Sequence, residues 1–262
     1  MIVIKYGGHV LDHEETAGPI ADVISDFHNA GGKVVLVHGG GPAIEKELAF
    51  HRIESTSVSG YRVTSQAAME IVQSVLSGTV LRNLANSFIA RGVNAVGISS
   101  GDGSTIRAEK FSPKIDGTEI DLGSVGIAES GNPALINLLL ANGYLPIVSP
   151  VGVTSNGDPL NLNGDIAAGV IAGSLEAEEV LFITDVPGIY REWPDKASLI
   201  HEITLEELKE LAPKLDGGMS PKVKAVITAI EAGATRARII DGTCIENVVR
   251  ALSGQGGTVV TK

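Results

Sequence analysis

The sequence predicts an α/β protein with an open, mainly parallel central sheet and helices on both faces, that is, a three-layer αβα sandwich. Short runs of apolar, β-branched residues alternate along the 262-residue chain with longer segments whose apolar residues recur at helical spacing. Continuous apolar runs are typical of strands that are buried on both faces. Regular alternation of such strands with helices predicts a mostly parallel sheet between helical layers.

The predicted strands share an apolar, β-branched composition. They are Ile2–Lys5, Lys33–Val37, Ala95–Ile98, Leu145–Val148, Val180–Thr184, Arg236–Ile240 and Thr258–Val260. The predicted helices share a helical apolar periodicity. They are Glu14–Asn29, Ala43–Phe50, Ser65–Leu76, Val80–Arg91, Ala134–Asn142, Ile166–Leu175, Leu205–Leu211, Lys222–Ala232 and Ile245–Leu252.

One stretch, Ile106–Gly126, breaks this alternation because it mixes charges, glycine and isolated apolar residues. We expect it to form a hairpin inserted at the edge of the sheet. In open α/β sheets, ligands bind at the carboxyl ends of the strands. Lys5, Gly39–Gly41, Gly101–Gly103 and Asp185 all follow or end predicted strands, so that edge is the expected site.

The composition excludes several classes of function. A formal charge of −11 and a pI of about 5.0 argue against a general nucleic-acid or anionic-membrane surface. The single cysteine, Cys244, excludes an internal disulfide and suits a reducing compartment. No apolar run approaches the length of a membrane span, and no targeting pattern is recognisable. We therefore expect a cytoplasmic protein with no nucleic-acid or membrane partner.

Two lysines that are far apart in the chain each lie beside a glycine cluster. Lys5 begins the segment Lys5–Gly8, Lys222 ends the segment Gly217–Lys222, and a third cluster, Gly39–Gly41, follows a predicted strand. Glycines have no Cβ, so their backbone N–H groups can approach a phosphate closely, and lysine adds a compact positive charge. The combination predicts a phosphoryl-transfer site, which would be a local cationic pocket in an acidic protein.

These features also have simpler explanations. With Pro42 as the first helical residue, Gly39–Gly41 forms either a tight strand-to-helix turn or an anion site. Lys5 either extends its ammonium group to the edge of the sheet or contacts a ligand. Both alternatives are open from the sequence.

Lys222 is unusual for its position. Ser220 and Pro221 are predicted to be the N-cap and first residue of a helix, so Lys222 falls in the first turn. A lysine there opposes the helix dipole at a cost of a few tenths to about 1 kcal/mol, which a bound anion would offset. The alternative is a surface lysine whose exposure screens the penalty.

Other polar residues are candidates for ligand binding. Asn161, Asn163 and Asp165 alternate before an alanine-rich helix, so they either share one face of an extended segment or simply cap the helix. Arg62 is a candidate bidentate clamp for a substrate carboxylate, or a surface arginine. Asp185 holds either a nucleotide or the turn that it begins.

Motifs of other enzyme classes are absent or out of context. The chain has no P-loop, dinucleotide-binding or protein-kinase catalytic-loop motif, and its six histidines lack metal-ligand spacing. Gly97–Gly101 matches the Gly-x-Ser-x-Gly motif of serine hydrolases, for which His201 would be the required late histidine. That motif needs a helix directly after its turn, whereas Asp102–Thr105 leads into the charged stretch, so the sequence disfavours a hydrolase.

Together these motifs resemble the amino acid kinase superfamily, and within it the members that phosphorylate N-acetyl-L-glutamate. The match runs in order over essentially the full chain and comprises Lys5–Gly8, His38–Gly41, Gly60–Thr64, Gly101–Gly103, Asn161–Asp165, Thr184–Gly188, Gly217–Lys222 and Asp241–Gly242. The resemblance implies the amino acid kinase fold. It also implies an amino-acid-substrate lobe with the dimer interface at residues 1–174 and a nucleotide-binding lobe at residues 175–262, both sharing one continuous sheet.

The activity implied by the resemblance is ATP-dependent phosphorylation of the γ-carboxylate of N-acetyl-L-glutamate, the second step of arginine biosynthesis. Mg²⁺ would be carried on the phosphates of ATP, with no protein-ligated metal. The enzyme would be a homodimer with weak or absent arginine inhibition.

The resemblance also implies a set of site residues. The catalytic residues would be Lys5, Lys222 and Asp165, with Asp165 holding both lysines in position. The substrate would be bound by Gly40, Gly41, Arg62, Asn161 and Asn163, and phosphate by Gly8, Gly40 and Gly41. The nucleotide would be bound by Asp185, Val186, Pro187, Gly188, Ile189, Tyr190, Gly218, Met219 and Lys222.

Two departures keep alternatives open. Gly164 stands where alanine is usual, and Gly164 together with Glu246–Asn247 and Arg250–Gly254 resembles a kinase that acts on carrier-protein-bound 2-aminoadipate or glutamate in lysine or ornithine biosynthesis. Gly60–Thr64 instead follows the N-acetylglutamate pattern, and an acidic chain is poorly suited to an acidic carrier. A non-catalytic amino-acid sensor on the same fold is the other alternative, against which the presence of both lysines and Asp165 argues.

Overall fold

Sixteen strands in the described part of the chain form one eight-stranded sheet, one four-stranded sheet and two short two-stranded pairs. The structure, a computed structural model, describes residues 1–11, 14–58, 60–115, 117–215 and 219–262. The strands are β1 Ile2–Tyr6, β2 Val34–His38, β3 Ser57–Val58, β4 Tyr61–Arg62, β5 Ala95–Ser99, β6 Ile106–Lys110, β7 Lys114–Ile115, β8 Thr118–Glu119, β9 Gly126–Gly131, β10 Leu145–Ser149, β11 Val151–Val153, β12 Pro159–Asn161, β13 Glu179–Thr184, β14 Glu202–Thr204, β15 Arg236–Asp241 and β16 Thr258–Thr261.

The helices alternate with these strands, as the sequence predicts. They are α1 Gly8–Leu11, α2 Glu14–Asn29, α3 Gly41–Phe50, α4 Gln66–Gln73, α5 Leu81–Ile89, α6 Ala134–Ala141, α7 Gly164–Ser174, α8 Leu205–Leu211, α9 Met219–Glu231 and α10 Ile245–Leu252. A π-helical segment, Ser74–Val80, joins α4 to α5. None of the helices in the described part of the chain is both long and apolar enough to cross a lipid bilayer.

Every predicted strand is observed as a strand and every predicted helix as a helix, and most of their ends agree within one or two residues. The largest difference at a helix start is in α9, which begins at Met219 instead of Lys222. Ser220 therefore lies inside the helix, so its prediction as the N-cap is wrong. Similarly, α3 begins at Gly41 and Pro42 is its second residue instead of its first.

The central sheet has eight strands among the described residues, in the order β14-β16-β15-β13-β1-β2-β10-β5. Its neighbouring strands are parallel except for β15 and β16, which are antiparallel. The predicted open, mainly parallel sheet is thus confirmed. Because β1 lies between β13 and β2, its carboxyl end is surrounded by the carboxyl ends of both neighbours.

The stretch Ile106–Gly126 does form hairpin structure, but its position differs from the prediction. β6 pairs with β9 and β11 in a separate four-stranded sheet, in the order β12-β11-β6-β9, instead of extending the edge of the central sheet. Within the loop between β6 and β9, β7 and β8 form a small antiparallel pair.

The two faces of the central sheet bury separate hydrophobic clusters, because alternate residues of a strand point to opposite faces. Val3 and Val37 belong to the cluster that contains α7 and α9, whereas Ile4, Tyr6 and Leu36 belong to the cluster that contains α2 and α5. The predicted three-layer arrangement therefore follows from the period of two in β1 and β2.

Helices α7 and α9 approach unusually closely through two glycines of α7. A Cβ on Gly173 would lie 2.1 Å from the carbonyl oxygen of Ala232, and one on Gly169 would lie 2.9 Å from the Cα of Ala229. Only glycine permits this separation, so these two positions set how closely the helices pack.

Candidate active site

A cavity of about 430 Å³ opens at the carboxyl ends of β1 and β2. Eight of the residues that the sequence singles out line it: Lys5, Gly8, Gly40, Gly41, Arg62, Asn161, Asn163 and Asp165. Residues that are far apart in the chain thus meet at the edge of the sheet where a ligand is expected.

Lys5 forms an ion pair at the base of this cavity. Its Nζ lies 2.8 Å from Oδ1 of Asp165, and the two side chains are 14% and 20% exposed. Lys5 shares the sheet face of Val3, which packs in the cluster containing α7, so its side chain is directed towards the start of that helix. Asp165 lies in the first turn of α7, where the helix dipole stabilises a carboxylate.

Three glycines of the cavity lining lie close together. A Cβ on Gly8 would lie only 3.0 Å from the amide nitrogen of Gly40 and 3.2 Å from that of Gly41. Gly8 begins α1 and Gly41 begins α3, so their N–H groups have no acceptor within their own helices. Free amides at helix starts can bind an anion. The anion site at Gly39–Gly41 therefore stays a prediction, for which this arrangement supplies suitable donors.

His38 ends β2 and lies directly before this glycine loop, with no exposed surface. Its Nδ1 is 2.7 Å from the carbonyl oxygen of Gly39. Burial lowers the pKa of His38 to about 4, despite the opposing effect of that backbone contact. The imidazole is consequently neutral at physiological pH.

Arg62 also lines the cavity and is held by two side chains. Its Nη2 donates to Oε1 of Glu45 at 3.0 Å, and its Nη1 donates to the hydroxyl of Ser55. Its side chain is 14% exposed, so it is not the surface arginine of the simpler explanation. Asn161 is also held, because its Nδ2 donates to Oγ1 of Thr64 at 3.1 Å, which fixes the orientation of the side-chain amide.

Asn163 caps α7. Its Oδ1 accepts from the amides of Asp165 at 2.9 Å and Ile166 at 3.2 Å. Because Asp165 is already helical, Asn161, Asn163 and Asp165 do not share one face of an extended segment. They come together in the cavity wall because a strand, a cap and a helical turn follow one another there.

Lys222 contacts a different carboxylate from the one expected. Its Nζ lies 3.1 Å from Oδ1 of Asp185, with side-chain exposures of 24% and 55%. Asp165 thus contacts Lys5, and Lys222 contacts Asp185, which follows the carboxyl end of β13. The structure does not bring Lys222 or Asp185 into the lining of the cavity.

The expected nucleotide stretch is partly buried. Gly188, Ile189 and Tyr190 are buried, and the amide of Ile189 donates to Oγ1 of Thr258 at 2.8 Å. Val186 is half-buried, while Asp185 and Pro187 are exposed. Gly218 lies outside the described residues, and Met219 begins α9.

The cavity wall also contains residues that sequence reasoning missed as ligand contacts. Tyr61, Ser57, Leu76 and Val125 line it. Tyr61 belongs to Gly60–Thr64, one of the motifs that resemble the amino acid kinase superfamily, so the sequence did contain a signal for it. Leu76 and Val125 show only apolar periodicity, which does not distinguish a cavity wall from a core.

The hydrolase alternative lacks its structural context. Ser99 ends β5, but Asp102–Ser104 is a single 3₁₀ turn that leads into β6 instead of a helix. The strand-turn-helix geometry of a nucleophile elbow is therefore not formed.

The sequence is similar to a known protein family and to individual proteins of known activity. The profile described as Amino acid kinase family matches residues 1–241. Acetylglutamate kinase from Arthrobacter sp. (strain FB24) is 41% identical over 92% of this chain and 80% of its own length. Acetylglutamate kinase from Archaeoglobus fulgidus is 42% identical over 92% of this chain and 86% of its own length.

A solved structure shows the same fold. The N-acetylglutamate synthase from Neisseria gonorrhoeae superposes with a TM-score of 0.85 at 24% identity. The alignment covers all of this chain and 59% of the synthase, so this chain spans under two thirds of that protein.

We predict that the stability of the protein depends on pH through His38. The folded-state pKa is about 4, while an unfolded chain titrates near 6.5, so the unfolded state binds the additional proton between these values. The free energy of unfolding therefore falls by about 3 kcal/mol between pH 7 and pH 4, relative to His38→Asn, which has no such titration. Denaturant unfolding of both proteins at several pH values measures the difference, and a pH-independent difference would contradict a buried neutral imidazole.

Proposed function

This chain belongs to the amino acid kinase family, and on that premise we propose that it transfers the γ-phosphoryl group of ATP to the γ-carboxylate of N-acetyl-L-glutamate. The product is N-acetyl-L-glutamyl 5-phosphate, in the second step of arginine biosynthesis. The convergence of Lys5, Asp165 and the glycine amides in one cavity is the observation that supports this function most directly.

The chemistry matches what the cavity offers. A γ-carboxylate oxygen forms a bond to the γ-phosphorus of ATP as the bond to the bridging oxygen of ADP breaks. A carboxylate is already nucleophilic, so no general base is required, and catalysis depends on alignment and on stabilisation of charge. Two anions must be brought together, which explains a local cationic site in a chain of net charge −11.

Each cavity residue has a defined part in this proposal. Lys5 neutralises charge on the transferring phosphoryl group, and Asp165 holds its ammonium group in place. Gly8, Gly40 and Gly41 donate backbone N–H groups to the phosphoryl oxygens. Arg62 and Asn161, with Asn163 beside them, bind the α-carboxylate and the acetamide of the substrate.

Lys222 acts on the same phosphoryl group from α9. The nucleotide lies along Asp185–Tyr190 and the start of α9. Binding requires the Lys222 ammonium group to exchange its contact with Asp185 for the triphosphate, and the exposed position of that pair permits the exchange. Mg²⁺ enters with ATP, bound to its phosphates.

The assignment of two lobes is consistent with the sheet. All strands of the central sheet that precede residue 175 lie on one side of the β1–β13 junction, and those that follow lie on the other. We place the substrate lobe at residues 1–174 and the nucleotide lobe at residues 175–262, in a cytoplasmic homodimer.

Gly164 does not by itself favour a carrier-bound substrate. A Cβ at this position would be 3.4 Å from the carbonyl oxygen of His38 and 4.0 Å from Cε of Lys5, which are ordinary contacts. Alanine would therefore fit here without displacing its neighbours.

Hydroxamate trapping tests the function. With Mg²⁺, ATP and hydroxylamine, we expect acyl-phosphate formation from N-acetyl-L-glutamate and much less from 2-aminoadipate derivatives, glutamate or carbamate. The proposal would be refuted if hydroxamate formed only with a carrier-linked substrate, or if none of the substrates tested gave hydroxamate.

We predict that Lys5→Ala lowers kcat by on the order of 10²–10³, because one preorganised charge contact to the phosphoryl group is lost. Steady-state kinetics measures this. Lys209→Ala is the matched control, since Lys209 also pairs with a carboxylate, that of Glu231, but at 45% exposure and outside the cavity lining. An unchanged kcat in Lys5→Ala would show that Lys5 does not stabilise charge on the transferring phosphoryl group.

We predict that Arg62→Ala mainly raises KM for N-acetyl-L-glutamate, because it removes a contact made equally in the ground and transition states. The exposed Arg107 provides the control variant Arg107→Ala. An increase in KM for ATP alone would show that Arg62 contacts ATP instead of N-acetyl-L-glutamate.

We predict opposite outcomes for two glycine-to-alanine changes in the same cavity. In Gly8→Ala the methyl group would press on the amides of Gly40 and Gly41, so kcat should fall by on the order of 10². In Gly164→Ala the methyl group fits, so kcat should stay within about twofold while stability rises by up to about 1 kcal/mol. Equal activities of the two variants would count against the amide site.

A further inference from the structure

We propose that His38 is a positioning residue, which holds the carbonyl of Gly39 so that the amide N–H of Gly40 is aimed at the transferring phosphoryl group. This inference rests on the proposed function, because it explains how the phosphate-binding amides acquire their orientation. It concerns a side chain that lies outside the cavity lining.

The contact between His38 and Gly39 sets the orientation of one peptide group. The carbonyl of Gly39 and the N–H of Gly40 belong to the same planar trans peptide, so they point in opposite directions. Nδ1 of His38 lies 2.7 Å from that carbonyl oxygen. Fixing the carbonyl towards His38 therefore turns the N–H of Gly40 away from it.

His38 and Lys5 lie on opposite faces of the central sheet. His38 shares the strand face of Leu36, which packs in the cluster containing Tyr6 and α2, whereas Lys5 shares the opposite face with Val3. The imidazole thus supports the loop from the side opposite Lys5. The amide nitrogen of Gly39 is held as well, since it donates to the carbonyl of Tyr6 at 2.9 Å. Both peptides that flank Gly39 are consequently fixed.

The chemistry of the imidazole agrees with this assignment. A carbonyl oxygen only accepts hydrogen bonds, so Nδ1 carries the proton and Nε2 carries a lone pair. Nε2 is buried, and among the described residues it has no hydrogen-bond partner. An apolar side chain would fill the same volume without an unpaired nitrogen, so packing alone does not explain a histidine here. Burial also keeps the ring neutral, which preserves this tautomer.

A pair of isosteric amides separates positioning from packing. The side-chain nitrogen of asparagine is as many bonds from Cα as Nδ1 of histidine, whereas that of glutamine matches Nε2. His38→Asn therefore retains a donor for the Gly39 carbonyl, and His38→Gln displaces it. We expect kcat of His38→Gln to fall at least tenfold with both KM values within about threefold, and kcat of His38→Asn to stay within about fivefold of the parent protein.

Affinity for a phosphoryl mimic provides a readout that a purely structural effect would not move. ADP–Mg²⁺ with aluminium fluoride should bind His38→Gln at least tenfold more weakly than the parent protein, while ADP–Mg²⁺ alone binds equally. If His38→Gln does not fold, His38→Leu, which has no donor, takes its place in the comparison with His38→Asn.

Equal kcat values for the asparagine and donor-deficient variants, or parallel losses of affinity for ADP with and without aluminium fluoride, would overturn the inference. Failure of the proposed function is distinguishable, because it would appear in the parent protein as absence of hydroxamate from N-acetyl-L-glutamate. Failure of this inference would appear only in the variants.

Discussion

The ion pair between Lys5 and Asp165 is the contact on which the rest of the site depends. It joins the carboxyl end of a central strand to the first turn of a helix that is almost entirely buried. The strand is fixed by parallel neighbours on both sides, so its last residues have little freedom. A lysine is rarely this buried without a partner, and the carboxylate is itself favoured by the helix dipole. Backbone and charge therefore determine one position for the ammonium group.

Glycine serves two different purposes around this pair. At the cavity, Gly8, Gly40 and Gly41 lack Cβ atoms, so the backbone at Gly8 can approach the amide nitrogens of Gly40 and Gly41. Deeper in the fold, Gly169 and Gly173 let α7 approach the backbone of α9. Because α7 carries Asp165 and α9 carries Lys222, this second contact links the placements of two side chains for which we propose catalytic roles, across more than 50 residues of chain.

Polar side chains in the cavity, and Lys222 outside its lining, are held by other groups of the protein. Arg62 is held by Glu45, Lys222 by Asp185 and Asn163 by the amides of α7. Such contacts limit the entropy lost when a ligand is bound. They also mean that two of the cations have carboxylate partners with exposures above one half, which solvent screens and an incoming anion can replace.

The sequence by itself determined the strands and helices of the central layers, because apolar periodicity is a local property that buried strands and amphipathic helices each require. It also determined that Lys5 and the glycine loops meet, since parallel strands bring their carboxyl ends to one edge. Only the tertiary structure decided that Lys222 pairs with Asp185, that Arg62 pairs with Glu45 and that β6 joins a second sheet. Each of these polar or edge groups had several chemically suitable partners, and the distances between packed elements, which no local pattern encodes, selected one.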